Sequence, residues 1–111
     1  MHQYFDQGFS GTADICTAAD DAVAALSSIA RWARTNHVKL FLGEFGVSQR
    51  SECVAALDRA LTVLHDDRDV WYGYAYWSAG AWWGSYPFNI QVTGGTPQGT
   101  ALKTHAAACP G

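Results

Sequence analysis

The sequence predicts an α/β chain built from three parallel strand–helix units and belonging to a larger fold. Three short strand-type runs end near Phe5, Gly43 and Trp77. Two stretches of helical periodicity separate them, and a terminal helix is expected after the last. Strand, helix, strand, helix, strand, helix with short connections is the pattern of parallel crossover units. Three such units cannot close a barrel, which in the (β/α)8 case takes eight.

Residues 1–5 are short and aromatic and read as the end of a strand, followed by the polar, Gly-rich loop Asp6-Gln7-Gly8-Phe9-Ser10-Gly11-Thr12. Thr17 with Asp20 three positions on has the form of a capping box. Val23, Leu26, Ile29, Ala30 and Ala33 then recur at helical spacing, predicting a helix to about Thr35 that Asn36 closes in a left-handed turn. Residues 38–43, Val-Lys-Leu-Phe-Leu-Gly, read as a strand buried on both faces. After a loop over 44–50, Val54, Leu57, Leu61 and Leu64 mark a second helix, which the polar run 66–69 stops. Residues 70–77 are rich in aromatics and form the third strand. A long loop containing Gly and Trp leads to a terminal helix over 100–108.

Bulk composition narrows the function. A chain of 111 residues suffices for one small domain, and 49% hydrophobic against 15% charged residues is the balance of a folded protein. A net charge of -3, with seven scattered Lys and Arg and no basic run, gives no reason to expect nucleic acid or an anionic membrane as partner. No apolar stretch reaches the roughly 18 residues of a membrane-spanning helix. The N-terminal Met1-His2-Gln3-Tyr4-Phe5-Asp6 has neither the basic start nor the apolar core of a signal peptide. Cys16, Cys53 and Cys109 are odd in number and lack zinc-site spacing, so no metal or other cofactor is expected. One disulfide plus one unpaired thiol is the economical reading, and it points to an oxidising compartment.

In parallel α/β folds, functional groups gather at the C-terminal ends of the strands. His2 and Tyr4 at the first strand, Glu44 just after the second and Trp77 at the end of the third are therefore expected on one rim. Glu44 follows a buried run, so its carboxylate needs partners or a shifted pKa. The plainer alternative is a structural glutamate tied to a neighbouring loop. Tyr4 could orient Glu44 or serve only as a core tyrosine, and a lone strand-end histidine such as His2 is commonly structural. Trp77, Trp82 and Trp83 cluster in one loop, where flat indole faces suit sugar rings; packing alone is the competing reading, and at least one of Trp71, Trp82 and Trp83 is expected to do only that. His37, His65 and His105 receive no role.

Three segments, His2-Gln3-Tyr4-Phe5-Asp6 with Ser10-Gly11-Thr12, Leu42-Gly43-Glu44-Phe45-Gly46, and Gly73-Tyr74-Ala75-Tyr76-Trp77-Ser78-Ala79-Gly80, resemble glycoside hydrolase family 5. The similarity is strongest to the endo-β-1,4-glucanases (cellulases) of that family. It implies a partial (β/α)8 TIM barrel, with residues 1–111 forming the C-terminal portion of one catalytic domain, strands six to eight. It implies Glu44 as nucleophile, Tyr4 and His2 as the pair that orients it, and Trp77 as the aromatic platform under the sugar. It also implies a Cys16–Cys53 disulfide, with Cys109 free or bonded elsewhere, a secreted protein, and a β-glucan or cello-oligosaccharide substrate.

One departure stands out. A retaining glycosidase needs a second carboxyl as acid/base, about 5–5.5 Å from the nucleophile. The family carries it in an Asn-Glu-Pro motif that is absent here, as are the arginine and histidine the family uses on earlier strands. The only other glutamate, Glu52, sits at the start of a helix, where it favours the positive helix end. The isolated chain is therefore expected to be inactive, and to be marginally folded or to self-associate, without the missing N-terminal part of the barrel. The competing classes are a non-catalytic carbohydrate-binding protein, usually an antiparallel β-sandwich, and a small standalone α/β protein.

Overall fold

Ala22, Leu26, Ala30 and Ala33 recur every three or four residues, and all four are fully buried. They form the inner stripe of α1 (Ala19–Thr35), and three of the four are alanines, which lets the neighbouring helix approach closely. That neighbour is α2 (Ser51–Asp66), whose Cys53, Ala56, Leu57, Ala60, Leu61 and Leu64 face inward. In the computed structural model, which describes residues 1–108, α3 (Pro97–Ala108) packs on the far side of α2. Cys109 lies outside the described residues.

The strands β1 (His2–Gln3), β2 (Leu40–Phe45) and β3 (Trp71–Tyr76) form one parallel sheet in that order. Leu42, Phe45, Val70 and Trp71 share a core with α1 and α2, which places the helices on one face of the sheet. This is a small α/β piece of three parallel strands, as a partial barrel requires, and not an antiparallel sandwich.

Several expectations need correction. β2 is not buried on both faces: Leu42 is covered, but Phe41, pointing the other way, is 40% exposed because no described residue covers that side. Phe41 packs instead on Tyr72, which is itself exposed, and over Gly73, where a Cβ would meet the Phe41 ring at 2.8 Å. β2 also runs past Gly43 to include Glu44 and Phe45. No capping box forms at Thr17: α1 starts after Ala18, whose N–H donates to the Phe5 carbonyl, and Asp20 pairs with Arg59 across to α2. Asn36 keeps a negative φ, and the left-handed residue is His37, at φ 56°. α3 begins three residues early, because the Thr96 hydroxyl accepts the Gly99 N–H at 3.0 Å and Pro97 takes the first turn.

Cys16 and Cys53 are joined by a disulfide, Cα–Cα 5.4 Å, which ties the loop after β1 to the start of α2. Glu52 sits in the first turn of α2, where Arg50 donates to it at 2.6 Å.

Candidate active site

The pairing of β1 with β2 sets His2 beside Glu44 and Gln3 beside Phe45. Between β2 and β3 the register slips: Leu42 faces Tyr74, but Phe45 faces Tyr76, so β2 spends one extra residue around Gly43 and Glu44. An irregularity of this kind re-aims a side chain at a strand end. Glu44 therefore leaves the regular pleat at the rim where the three strands end.

Two residues hold it there. The Tyr4 hydroxyl donates to Glu44 Oε1, and His2 Nδ1 lies 3.5 Å from Oε2. Each oxygen thus has a partner, while the Glu44 side chain remains 26% exposed to solvent. Burial, followed by the hydrogen bond to Glu44 and its charge, pushes the Tyr4 phenol well above its ordinary value. Tyr4 thus remains a proton donor to the carboxylate across the physiological range. The core-tyrosine and site-tyrosine readings of Tyr4 are compatible, since it is buried and bonded to Glu44.

Trp77 follows β3 immediately, with its N–H bonded to the Phe45 carbonyl at 2.7 Å, so it shares the Glu44 rim. The Trp77–Ser78 peptide is cis. Trp77 is 36% exposed and meets Trp83 edge-on at 4.8 Å. From there an aromatic row continues through Tyr86 and Phe88 back to Tyr4. Trp82 is 90% exposed and stands outside that row, whereas Trp71 is the tryptophan committed to the core. All three strand-end groups named from the sequence come together, and Trp83 joins Trp77.

Sequence reasoning missed four supports: Asp6, Gly46, Tyr86 and Phe88. Gly46 is pressed on the Trp77 carbonyl, and Phe88 is buried beneath Tyr4 and Tyr86. An Asp before a Gly-rich loop is a turn signal that could have revealed Asp6. Its buried carboxylate accepts the N–H groups of Gly11 at 2.9 Å, Ala13 at 3.2 Å and Thr12 at 3.3 Å, together with the Ser10 hydroxyl. Burial alone would raise the Asp6 carboxyl, but Ser10 and these amides outweigh it and hold it below the ordinary value. This carboxylate folds the loop over Tyr4: a Cβ on Gly11 would lie 2.7 Å from the Tyr4 ring.

A depressed folded-state pKa contributes stability above the unfolded value near 3.9 and loses it as pH falls through the folded value. Asp6→Asn is therefore expected to cost about 2 kcal/mol at pH 7. The gap from the unsubstituted chain should narrow below about pH 4. Urea unfolding at pH 7 and pH 3 measures it; an equal gap at both would show that the charge is not what matters.

Residues 1–80, which contain Glu44 and its partners, match the family model for cellulase, glycosyl hydrolase family 5. The chain belongs to glycosyl hydrolase family 5. This family-5 chain is 38% identical over 108 residues to endoglucanase gh5-1 of Neurospora crassa, covering 95% of itself and 28% of that protein. It is 37% identical over 95 residues to endo-beta-1,4-glucanase A of Emericella nidulans, covering 86% of itself and 29% of that protein. Among solved structures, the endo-beta-1,4-glucanase Xac0029 from Xanthomonas axonopodis pv. citri is 40% identical with a TM-score of 0.89, over 96% of this chain and 35% of that one. XacCel5A in complex with cellopentaose is 38% identical with a TM-score of 0.87, over 94% of this chain and 34% of that one. The family-5 chain thus spans less than a third of these curated relatives and about a third of the solved chains.

Proposed function

We propose that this chain supplies the nucleophile side of a retaining endo-β-1,4-glucanase site, as the last three βα units of a (β/α)8 barrel. Glu44 attacks the anomeric carbon of a β-1,4-glucan, and the glycosidic oxygen leaves with a proton from the acid/base. Water, deprotonated by that same acid/base, then releases the sugar from Glu44 with retention. Tyr4 and His2 hold the two carboxylate oxygens, Trp77 lies beneath the sugar at the point of cleavage, and Trp82 and Trp83 extend the sugar-binding surface. What supports the reading is one arrangement: a carboxylate at a strand end, gripped by Tyr4 and still part-exposed, with Trp77 at the end of the neighbouring strand.

The acid/base belongs to an N-terminal part of the barrel that this chain does not contain, so its partners are that part and a β-glucan or cello-oligosaccharide. The chain alone then binds sugar weakly and does not turn it over. As in a secreted cellulase, the Cys16–Cys53 disulfide suits an oxidising compartment. Tryptophan fluorescence tests the sugar-facing half of this reading. Cellopentaose is expected to quench the chain's emission, and Trp77→Ala to remove most of that quenching while the helical circular dichroism is kept. Equal quenching in Trp77→Ala would displace Trp77 as platform.

A further inference from the structure

Val47 stands three residues past Glu44, beyond the end of β2, and is fully buried. Its peptide groups therefore need partners that the strand ladder no longer supplies. Tyr76 provides them from the last position of β3. The Tyr76 hydroxyl accepts the Val47 N–H at 3.3 Å and donates to the Val47 carbonyl at 2.9 Å. Exchanging both bonds with one residue is what an opposite residue does in an antiparallel ladder, and here a side chain does it. Gln98, fully buried in the first turn of α3, adds a second donor to the same carbonyl. Its Nε2 donates to Val47 at 3.4 Å and to the Pro87 carbonyl at 3.2 Å. The Tyr76 ring is held as well, edge-on to Phe45 at 5.5 Å.

Tyr76 thereby joins two parts of the site by separate routes. Its hydroxyl grips the segment that follows Glu44, while its own backbone runs directly into Trp77. Between them Gly46 is pressed on the Trp77 carbonyl, and the Trp77 N–H bonds the Phe45 carbonyl. We infer that Tyr76 is a positioning residue, whose hydroxyl clasps Val47 and so fixes the separation of Glu44 and Trp77. The inference rests on the nucleophile and platform readings of those two residues and adds what keeps them in register. A hydroxyl that only satisfies buried peptide groups is the competing role, and it would stabilise the whole chain without favouring the rim.

Amide hydrogen exchange in the full chain separates the two roles. Tyr76→Phe keeps the ring on Phe45 and removes the oxygen. The reporter is the Trp77 N–H, which is not a partner of the lost hydroxyl, read against the Leu26 amide in α1 and the Leu57 amide in α2. Tyr76→Phe is expected to speed Trp77 exchange about tenfold more than exchange at the helix amides, and to weaken cellopentaose binding by a similar factor. An equal factor at all three amides would overturn the inference, since a loss of overall stability speeds such amides alike. Unchanged cellopentaose affinity beside a loosened Trp77 would overturn it too, because the sugar must feel a displaced platform. Gln98→Met, which takes the second donor from the Val47 carbonyl, should give the same pattern at smaller size, and it decides the matter if Tyr76→Phe does not fold. If the unsubstituted chain binds no cellopentaose, the functional reading fails by itself, and the exchange ratio still decides what Tyr76 holds.

Discussion

Gly46→Ala is expected to destabilise the chain by about 3 kcal/mol and to strip Trp77 from its place. A Cβ at Gly46 would lie 1.9 Å from the Trp77 carbonyl oxygen, 3.0 Å from its carbon and 3.1 Å from Cδ2 of Phe88. Two of those atoms are backbone, so relief needs a shift of the chain after β3 and not a change of rotamer. That shift works against the Trp77 N–H bond to the Phe45 carbonyl, 2.7 Å long, which anchors Trp77 beside β2. Forced overpacking costs about 1–3 kcal/mol and sometimes more, and a backbone clash belongs at the upper end. The expected fall in melting temperature is roughly 10–20 °C. Gly43→Ala is the control, because its Cβ would meet nothing closer than 3.4 Å, at Nε2 of His2. Such ordinary contact should cost less than about 1 kcal/mol. A Gly46→Ala chain melting within a few degrees of the original would mean that the Trp77 segment is not pinned here.

The second large effect concerns catalysis. The purified chain is expected to release no reducing sugar from carboxymethylcellulose, since among the described residues Glu44 has no acid/base carboxyl opposite it. Grafted in place of the matching third of the Xanthomonas endo-beta-1,4-glucanase, with which it shares 40% identity, it should turn the substrate over. General acid–base help is worth about 10²–10⁴ of that gain, and the restored cleft supplies more. Within the graft, Glu44→Gln should lower kcat/KM by about 10⁴-fold or more, the scale seen when a covalent nucleophile is removed. Hydrolysis by the isolated chain that vanishes in Glu44→Gln would overturn the division of labour between the two parts.

Much of this was legible in the sequence, for identifiable reasons. The α1 and α2 stripes were readable because Leu26, Ala30, Leu57 and Leu61 recur at helical spacing and all face one core. The rim of His2, Glu44 and Trp77 followed from strand order alone, since parallel strands end on one side. The slip of register around Gly43 and Glu44 was not readable, because a bulge depends on how β2 meets β3 and leaves no period in either strand. The covering of β2 was misjudged for a related reason: a continuous apolar run reports what a strand is suited to, and Phe41 remains 40% exposed with only Tyr72 and Gly73 of the neighbouring strand against its ring. The helix caps failed at Thr17 and were missed at Thr96 because a cap depends on the path of the chain entering the helix. Asp6 carried a local turn signal that went unused, whereas Tyr86 and Phe88 bond or pack across loops, and such long-range contacts carry no local signature.

Trapping the covalent intermediate tests the role of Glu44 most directly. A 2-deoxy-2-fluoro-β-cellobioside with a dinitrophenolate leaving group departs without protonation, and the fluorine slows release of the glycosyl enzyme, so the ester accumulates. Incubated with the grafted protein and digested, it should leave one fluorocellobiosyl group, found by mass spectrometry on the peptide that contains Glu44 and absent in Glu44→Gln. A label on another carboxylate, or none in a graft that hydrolyses cellulose, would contradict the assignment of Glu44 as nucleophile.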